Sequence, residues 1–118
     1  RRTSGAMADG QVVCAVAGGV ESGAPAMAKF RADFKQKFDM DTQFNAPYAY
    51  DAVMVMVDAM VRAGSSDPAK YLPALTATSG YKGVTGTIAF DEKGDLKNGA
   101  LTLLTYEAGK KEVVAVVR

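Results

Sequence analysis

Few side chains in this sequence could do chemistry, and the missing ones are informative. The 118 residues contain no histidine and a single cysteine, Cys14. Serine–histidine and cysteine–histidine catalysis, histidine metal ligation and a cysteine-rich metal site are therefore excluded. An enzyme would have to work with Asp, Glu, Lys or Tyr. We therefore predict no catalytic, metal-binding or cofactor-binding residues, and a small α/β enzyme stays an alternative.

Two side chains near the middle of the chain are candidates for ligand binding. Asn45 could hydrogen-bond to a small molecule, and Tyr48 could stack on it and offer its hydroxyl. Packing explains both residues equally well at this stage. Tyr50, two residues further on, starts an apolar helical stripe and is expected to pack. Asp51 stands near the start of the same helix, where the helix dipole alone explains it.

Two further segments could bind a ligand, namely the glycine-containing segment Gly83–Gly86 and the charged run Asp91–Asp95. The charged run lacks the third-position and twelfth-position ligands of a calcium loop, so we predict a charged turn or an interdomain hinge. Residues Gly83–Gly86 carry no following lysine and are predicted to form a turn, not a phosphate cradle. The predicted hinge residues are Asp91, Glu92, Lys93, Gly94 and Asp95.

Charge and hydropathy exclude two further classes of partner. Fourteen basic and thirteen acidic side chains leave a net charge of +1 without a basic block, so nucleic acid is not a predicted partner. The longest apolar helical stretch, Tyr50–Val61, is too short to span a membrane. Residues 1–5 lack the apolar core of a signal peptide.

Hydrophobic periodicity predicts a strand followed by three helices. The continuous apolar run Gln11–Ala17 suits a strand of a parallel sheet, buried on both faces, with Cys14 as a small buried hydrophobe. A first helix follows from Pro25, with an apolar stripe at three- and four-residue spacing. A largely buried second helix ends before Gly64, after a short strand within 42–48. The third helix starts at Pro68, and Pro73 should shorten or kink it.

The remainder of the chain is β-rich. Thr85–Phe90 alternates as a strand, while Ala100–Tyr106 and Lys111–Val117 are separated by a four-residue turn and read as a hairpin. The fold class is therefore α/β, an incomplete layered lobe with a C-terminal β-hairpin. Two or three strands are too few to cover two apolar helices. Either strands outside this sequence or a second copy of the chain would cover these helices. Because the 118 residues alone leave the apolar helix faces uncovered, we expect them to self-associate.

Three segments carry a resemblance to a known family, within a likeness that runs from about Asp9 to Val117. They resemble the C-terminal third of the periplasmic leucine/isoleucine/valine-binding proteins, the receptors of branched-chain amino acid ABC transporters, which have a type I periplasmic-binding-protein fold. The segments are Asn45–Val53, Ala63–Lys70 and Gly83–Asp95.

The resemblance implies two lobes that close on an amino acid. Residues 1–99 would form the C-terminal part of the first lobe and end at the hinge, and residues 100–118 would form a β-hairpin of the second lobe. The chain would be a fragment of a periplasmic receptor that delivers a branched-chain or related amino acid to a membrane ABC permease. Asn45 would lie in a pocket wall, and the isolated residues are not expected to bind leucine. A ligand-sensing regulatory domain of the same fold is a further alternative.

Overall fold

The computed structural model of the chain describes residues 14–17, 25–108 and 110–117. These residues form a mixed α/β structure that separates into two units. One unit contains the helices and runs to Lys97, and the other joins the first strand to the segment that starts at Asn98. The elements in chain order are β1 Cys14–Ala17, α1 Pro25–Phe38, α2 Ala46–Ala63, α3 Pro68–Thr76, β2 Tyr81–Lys82, β3 Thr87–Ile88, β4 Leu101–Glu107 and β5 Lys110–Val117.

Helix α2 begins earlier than the periodicity predicts. It starts at Ala46 with Pro47 in its first turn, where a missing N–H and a fixed φ cost nothing, so the short strand predicted within 42–48 is wrong. At the other end Gly64 adopts a left-handed conformation with φ 61°. The N–H of Gly64 donates to the carbonyl of Val61 at 3.1 Å, which closes the helix as predicted.

Helix α3 is capped as the sequence predicts. The Asp67 side chain accepts the N–H of Ala69 at 3.0 Å, and Pro68 occupies the first turn. The helix continues through Pro73 and ends at Thr76, which is nine residues in all. Pro73 is the sixth residue of α3 and lies inside the helix, which forms in spite of the hydrogen bond that a proline cannot donate.

Helices α2 and α3 pack along each other and form the centre of the helical unit. One face of α2 is buried and carries Asp51, Val55 and Ala59 at four-residue spacing. Near the end of α2, the Arg62 guanidinium reaches α3 and donates to the carbonyl of Ala74 at 2.7 Å. The same group also donates to the hydroxyl of Thr78 at 2.9 Å and to the carboxylate of Asp58 at 2.8 Å, so one side chain joins the ends of both helices.

The opposite face of α2 is open. Apolar side chains at helical spacing lie 43–74 % exposed there, namely Tyr50, Val53, Val57 and Val61. The sequence predicts a largely buried helix, whereas the buried residues of α2 lie on one face. Self-association through this face stays a prediction.

The second unit is a small antiparallel sheet with strand order β1-β4-β5. The hairpin of β4 and β5 confirms the sequence prediction, with the change of direction at Ala108 in a left-handed conformation, φ 46°. Strand β1 pairs with β4 from Cys14↔Leu104 to Ala17↔Leu101. Strand β1 therefore lies with the terminal hairpin, whereas the sequence groups it with the helices.

Two expectations for β1 are wrong. The strand is antiparallel, and the Cys14 side chain is exposed, not buried. A continuous apolar run predicts a strand but carries no information on the direction of its partner, which here follows more than eighty residues later in the chain. Among the described strands β1 has a neighbour on one side, so burial on both faces does not follow from its composition.

Candidate functional site

The predicted ligand-binding residues Asn45 and Tyr48 both lie at the start of α2. Asn45 is the residue before the helix, and its carbonyl accepts the N–H of Ala49 at 3.0 Å. Its exposed side chain makes no hydrogen bond that caps the helix. Tyr48 follows Asn45 by three positions, so the two residues lie within about one helical turn. Both predicted residues therefore lie at the N-terminal end of α2, and their role in ligand binding stays a prediction.

Tyr48 is half-buried and belongs to a small aromatic cluster. Its ring is tilted against the ring of Phe44, with the centroids 6.0 Å apart. Burial raises the pKa of the Tyr48 hydroxyl, so the group is a protonated donor at neutral pH. Phe44 is 57 % exposed and adds an apolar surface beside Tyr48. Sequence reasoning missed Phe44 because it lies outside the helical period that identified its neighbours.

A second aromatic surface lies between α1 and the start of α2. The rings of Phe30 and Tyr50 are 5.2 Å apart, and Phe34 continues the row along α1. Together with Val84 these rings line an open groove of about 450 Å³, with an ion pair between Lys29 and Asp33 at its edge. Tyr50 packs against a ring as predicted, and it remains 45 % exposed.

The Asp51 carboxylate is the buried charged group closest in sequence to these residues. Asp51 is only 3 % exposed. Its carboxylate accepts the N–H of Val84 at 2.9 Å and the N–H of Thr85 at 2.8 Å. The hydroxyl of Thr85 also donates to it at 2.5 Å. The helix dipole, which is the explanation from sequence, does not account for these contacts. Asp51 connects α2 to the turn between β2 and β3.

Tyr81 in β2 lies in the electrostatic field of this carboxylate. Burial, followed by the negative charges of Asp51 and Asp58, raises the pKa of the Tyr81 hydroxyl above its usual value. Ionisation would place a third negative charge in this region of the helical unit. The raised pKa of Tyr81 therefore reports first on burial of its hydroxyl and then on the carboxylates of α2.

Alkaline titration should reveal the raised pKa of Tyr81. The folded chain holds the phenolic proton more tightly than the unfolded chain, so this group's contribution to stability is complete below about pH 10 and declines as pH rises through the folded pKa. Tyrosinate absorbance of the wild type minus that of Tyr81→Phe isolates this group among the five tyrosines. The difference should have its midpoint above pH 10 while circular dichroism reports a folded chain. A midpoint at or below that of free tyrosine would contradict the prediction.

The charged run Asp91–Asp95 forms a closed reversal. The carboxylate of Asp91 accepts the N–H groups of Lys93 and Asp95, both at 2.9 Å, and the N–H of Asp91 donates to the carbonyl of Asp95 at 2.8 Å. Gly94 supplies the left-handed conformation at φ 86°. In the described part of the chain no group of three acidic or cysteine side chains could hold a metal ion. The hydrogen bonds of Asp91 confirm the predicted charged turn.

The predicted hinge turn lies just before the boundary between the two units. The helical unit ends at Lys97, two residues after Asp95, and the sheet unit resumes at Asn98, which has φ 55°. The N–H of Lys97 donates to the carbonyl of Ala89 at 2.9 Å, so the reversal and its flanks are tied together up to the boundary. The role of Asp91–Asp95 as a hinge stays a prediction.

The fold defines the class of protein. A helical unit and an antiparallel sheet unit, which the chain joins twice, make up part of a type I periplasmic-binding-protein fold. A model of the periplasmic binding protein family matches residues 2–111. This chain belongs to the periplasmic binding protein family. None of the helices in the described ranges is long and apolar enough to cross a membrane.

Two curated relatives are named as proteins that bind branched-chain amino acids. The chain is 42 % identical over 67 residues to the leucine-, isoleucine-, valine-, threonine- and alanine-binding protein of Pseudomonas aeruginosa, an alignment of 55 % of this chain and 18 % of that protein. It is 36 % identical over 62 residues to Leu/Ile/Val-binding protein homolog 1 of Brucella abortus, which covers 52 % of this chain and 17 % of that protein. Both relatives are named as binding proteins.

Solved structures extend the similarity to nearly the whole chain. The leucine-binding protein LivK of Thermotoga maritima superimposes on 99 % of this chain with a TM-score of 0.81 and 25 % identity. The substrate-binding protein LivJ of Streptococcus pneumoniae, solved with isoleucine, shares the fold over 86 % of the chain with a TM-score of 0.69 and 21 % identity. The chain spans 33 % of the first structure and 29 % of the second.

Proposed function

We propose that these residues form part of a solute-binding receptor that captures a branched-chain or related amino acid for an ABC importer. The observation that carries the proposal is the similarity over 99 % of the chain to a leucine-binding protein, at a TM-score of 0.81. A curated relative at 42 % identity is also named for leucine, isoleucine and valine. Such a receptor acts in the periplasm and hands its amino acid to a membrane permease.

Within the receptor, the start of α2 would supply one wall of the pocket. A free amino acid needs donors for its carboxylate, an acceptor for its ammonium group and an apolar surface for its side chain. Asn45 offers an exposed carboxamide, and Phe44 with Tyr48 offers an aromatic surface and a protonated hydroxyl. The carboxylate of Asp51 already accepts three hydrogen bonds from Val84 and Thr85, so the ammonium group needs another partner.

The two units would correspond to the two lobes of the receptor. The helical unit through Lys97 would belong to one lobe, and β1 with the segment from Asn98 would belong to the other. The chain then crosses between lobes twice, once between β1 and α1 and once at Lys97–Asn98. We place the second crossing immediately after the Asp91–Asp95 reversal, which delivers the chain to it in a fixed direction.

Calorimetry with L-leucine tests the proposed function. A receptor-length protein that contains this chain should bind L-leucine, while the 118 residues alone should give no heat of binding, because the pocket wall at α2 supplies too few polar partners. L-glutamate serves as the control ligand, since a pocket for an apolar side chain leaves its second carboxylate unpaired. Absence of leucine, isoleucine and valine binding in the receptor-length protein would overturn the proposal.

Variants at the pocket wall test the two site residues. Asn45→Ala and Tyr48→Ala should each weaken leucine binding by roughly tenfold, the equivalent of about 1.4 kcal/mol. Tyr48→Phe separates the hydroxyl from the ring. Gln43→Ala removes an exposed side chain whose amide donates to the carbonyl of Asp41 at 3.1 Å, and it should leave the affinity unchanged. If Asn45→Ala, Tyr48→Ala and Tyr48→Phe all bind leucine with the wild-type affinity, Asn45 and Tyr48 are not part of the site.

A further inference from the structure

The turn between β2 and β3 surrounds the Asp51 carboxylate with donors. Oδ1 accepts the N–H of Val84, while Oδ2 accepts both the N–H and the hydroxyl of Thr85. Two successive backbone N–H groups that converge on one carboxylate form the kind of concave cradle in which proteins hold anions. The sequence lacks the lysine of a phosphate loop, and the cradle holds a carboxylate of the same chain instead.

Gly83 gives the carboxylate its space. A Cβ atom on Gly83 would lie 2.7 Å from Cγ of Asp51 and 2.9 Å from Oδ1, closer than side chains approach one another. The φ of Gly83 lies outside the left-handed region, so the backbone there would accept any residue. Gly86, at the other end of the turn, has φ 130° and is a glycine for conformational reasons. Gly83 is therefore required for space beside Asp51, and Gly86 is required for its backbone conformation.

Burial makes the hydrogen bonds to the Asp51 carboxylate necessary. Removing a charged group from water is unfavourable unless hydrogen bonds replace the lost hydration, and Asp51 is 3 % exposed. The three donors of the turn provide that replacement. Conversely, the N–H groups of Val84 and Thr85 would be left without a protein acceptor if the carboxylate were removed.

We propose that Gly83–Gly86 is a carboxylate-binding cradle filled by the chain's own Asp51, and that Asp51 is a positioning residue for the pocket wall. Asp51 lies one turn into α2 beyond Tyr48, and the cradle lies in the hairpin that leads to the boundary after Lys97. The contact between Asp51 and Gly83–Gly86 therefore fixes the start of α2 relative to the segment that leads to Lys97. The cradle itself stands on geometry alone, whereas its effect on ligand binding rests on the proposed function.

Chemical rescue tests the cradle. Asp51→Ala empties it and should lower the melting temperature of the 118-residue chain by about 10 °C, because buried donors lose their acceptor. Formate should restore part of this loss in a saturable manner, and sodium chloride at equal ionic strength should not. The amide signals of Val84 and Thr85 should lose their protection from exchange by roughly tenfold or more in the variant and recover it with formate.

Matched variants keep the test decisive. Asp41→Ala removes a carboxylate with 92 % side-chain exposure and should show neither the loss nor the rescue. If Asp51→Ala fails to fold, Asp51→Asn retains one acceptor oxygen and should lose protection at one of the two amides. Formate acting no differently from chloride, or protected Val84 and Thr85 amides in Asp51→Ala without formate, would overturn the cradle.

A second arm separates the cradle from the proposed function. No amino acid enters the rescue experiment, so a receptor that fails to bind leucine leaves its result intact. In a receptor-length protein, Asp51→Ala should weaken leucine binding at least tenfold, and formate should recover it. Rescue of folding by formate with an unchanged leucine affinity in all states would overturn the positioning role while leaving the cradle in place.

Discussion

Ala59→Asp should destabilise the helical unit by about 3–5 kcal/mol, which is enough to unfold a small domain. Ala59 has no exposed surface and lies on the buried face of α2, along which α3 packs. An aspartate there would place a charge without a partner in that contact, and a larger side chain would push the helices apart. Urea unfolding followed by circular dichroism measures the loss.

Ala52→Asp is the matched control for this change. Ala52 belongs to the same helix and is exposed, so the substitution has the same helix propensity cost without burial. We expect a change within about 0.5 kcal/mol. Similar stabilities for the two variants would show that α2 does not pack through Ala59.

Gly83→Ala should cost about 2–4 kcal/mol, far more than the usual effect of this substitution outside the left-handed region. The added methyl group would occupy the space of the Asp51 carboxylate, at 2.7 Å from its Cγ. The carboxylate must then move away from Val84 and Thr85, and both sides of the contact lose hydrogen bonds. Urea unfolding of the variant measures the cost.

A double-mutant cycle identifies the cause. With Asp51→Ala in place the methyl group at residue 83 has room, so the further change Gly83→Ala should cost below about 1 kcal/mol. The coupling energy between the two positions should therefore be large, and the double variant should be less unstable than the sum of the single variants. Additive effects would show that Gly83 is required by the backbone and not by Asp51.

The helices follow from local sequence signals. Prolines at Pro25 and Pro68 start α1 and α3 as predicted, and Gly64 ends α2, because each acts through its own backbone geometry. The one boundary that moved, at Ala46, also has a local cause in Pro47. The terminal hairpin was predictable for the same reason, since its two strands are adjacent in sequence.

The placement of strand β1 was not predictable from the same information. The run that contains Cys14 has the composition of a strand, yet its partner β4 lies far along the chain. A four-residue strand has too few positions to show which face is covered. Its antiparallel pairing with Leu101–Leu104, and hence its unit, is decided by contacts that the sequence does not encode locally.

The candidate site also contains features that the sequence predicts and contacts that it does not predict. The α/β class, the family resemblance and the neighbouring positions of Asn45 and Tyr48 all follow from the sequence alone. Only the tertiary structure joined Asp51 to Gly83 and Thr85, residues more than thirty positions away that each had a sufficient local explanation. Local signals act through a residue's own backbone, whereas a buried carboxylate finds its donors only after the helix and the hairpin have packed together.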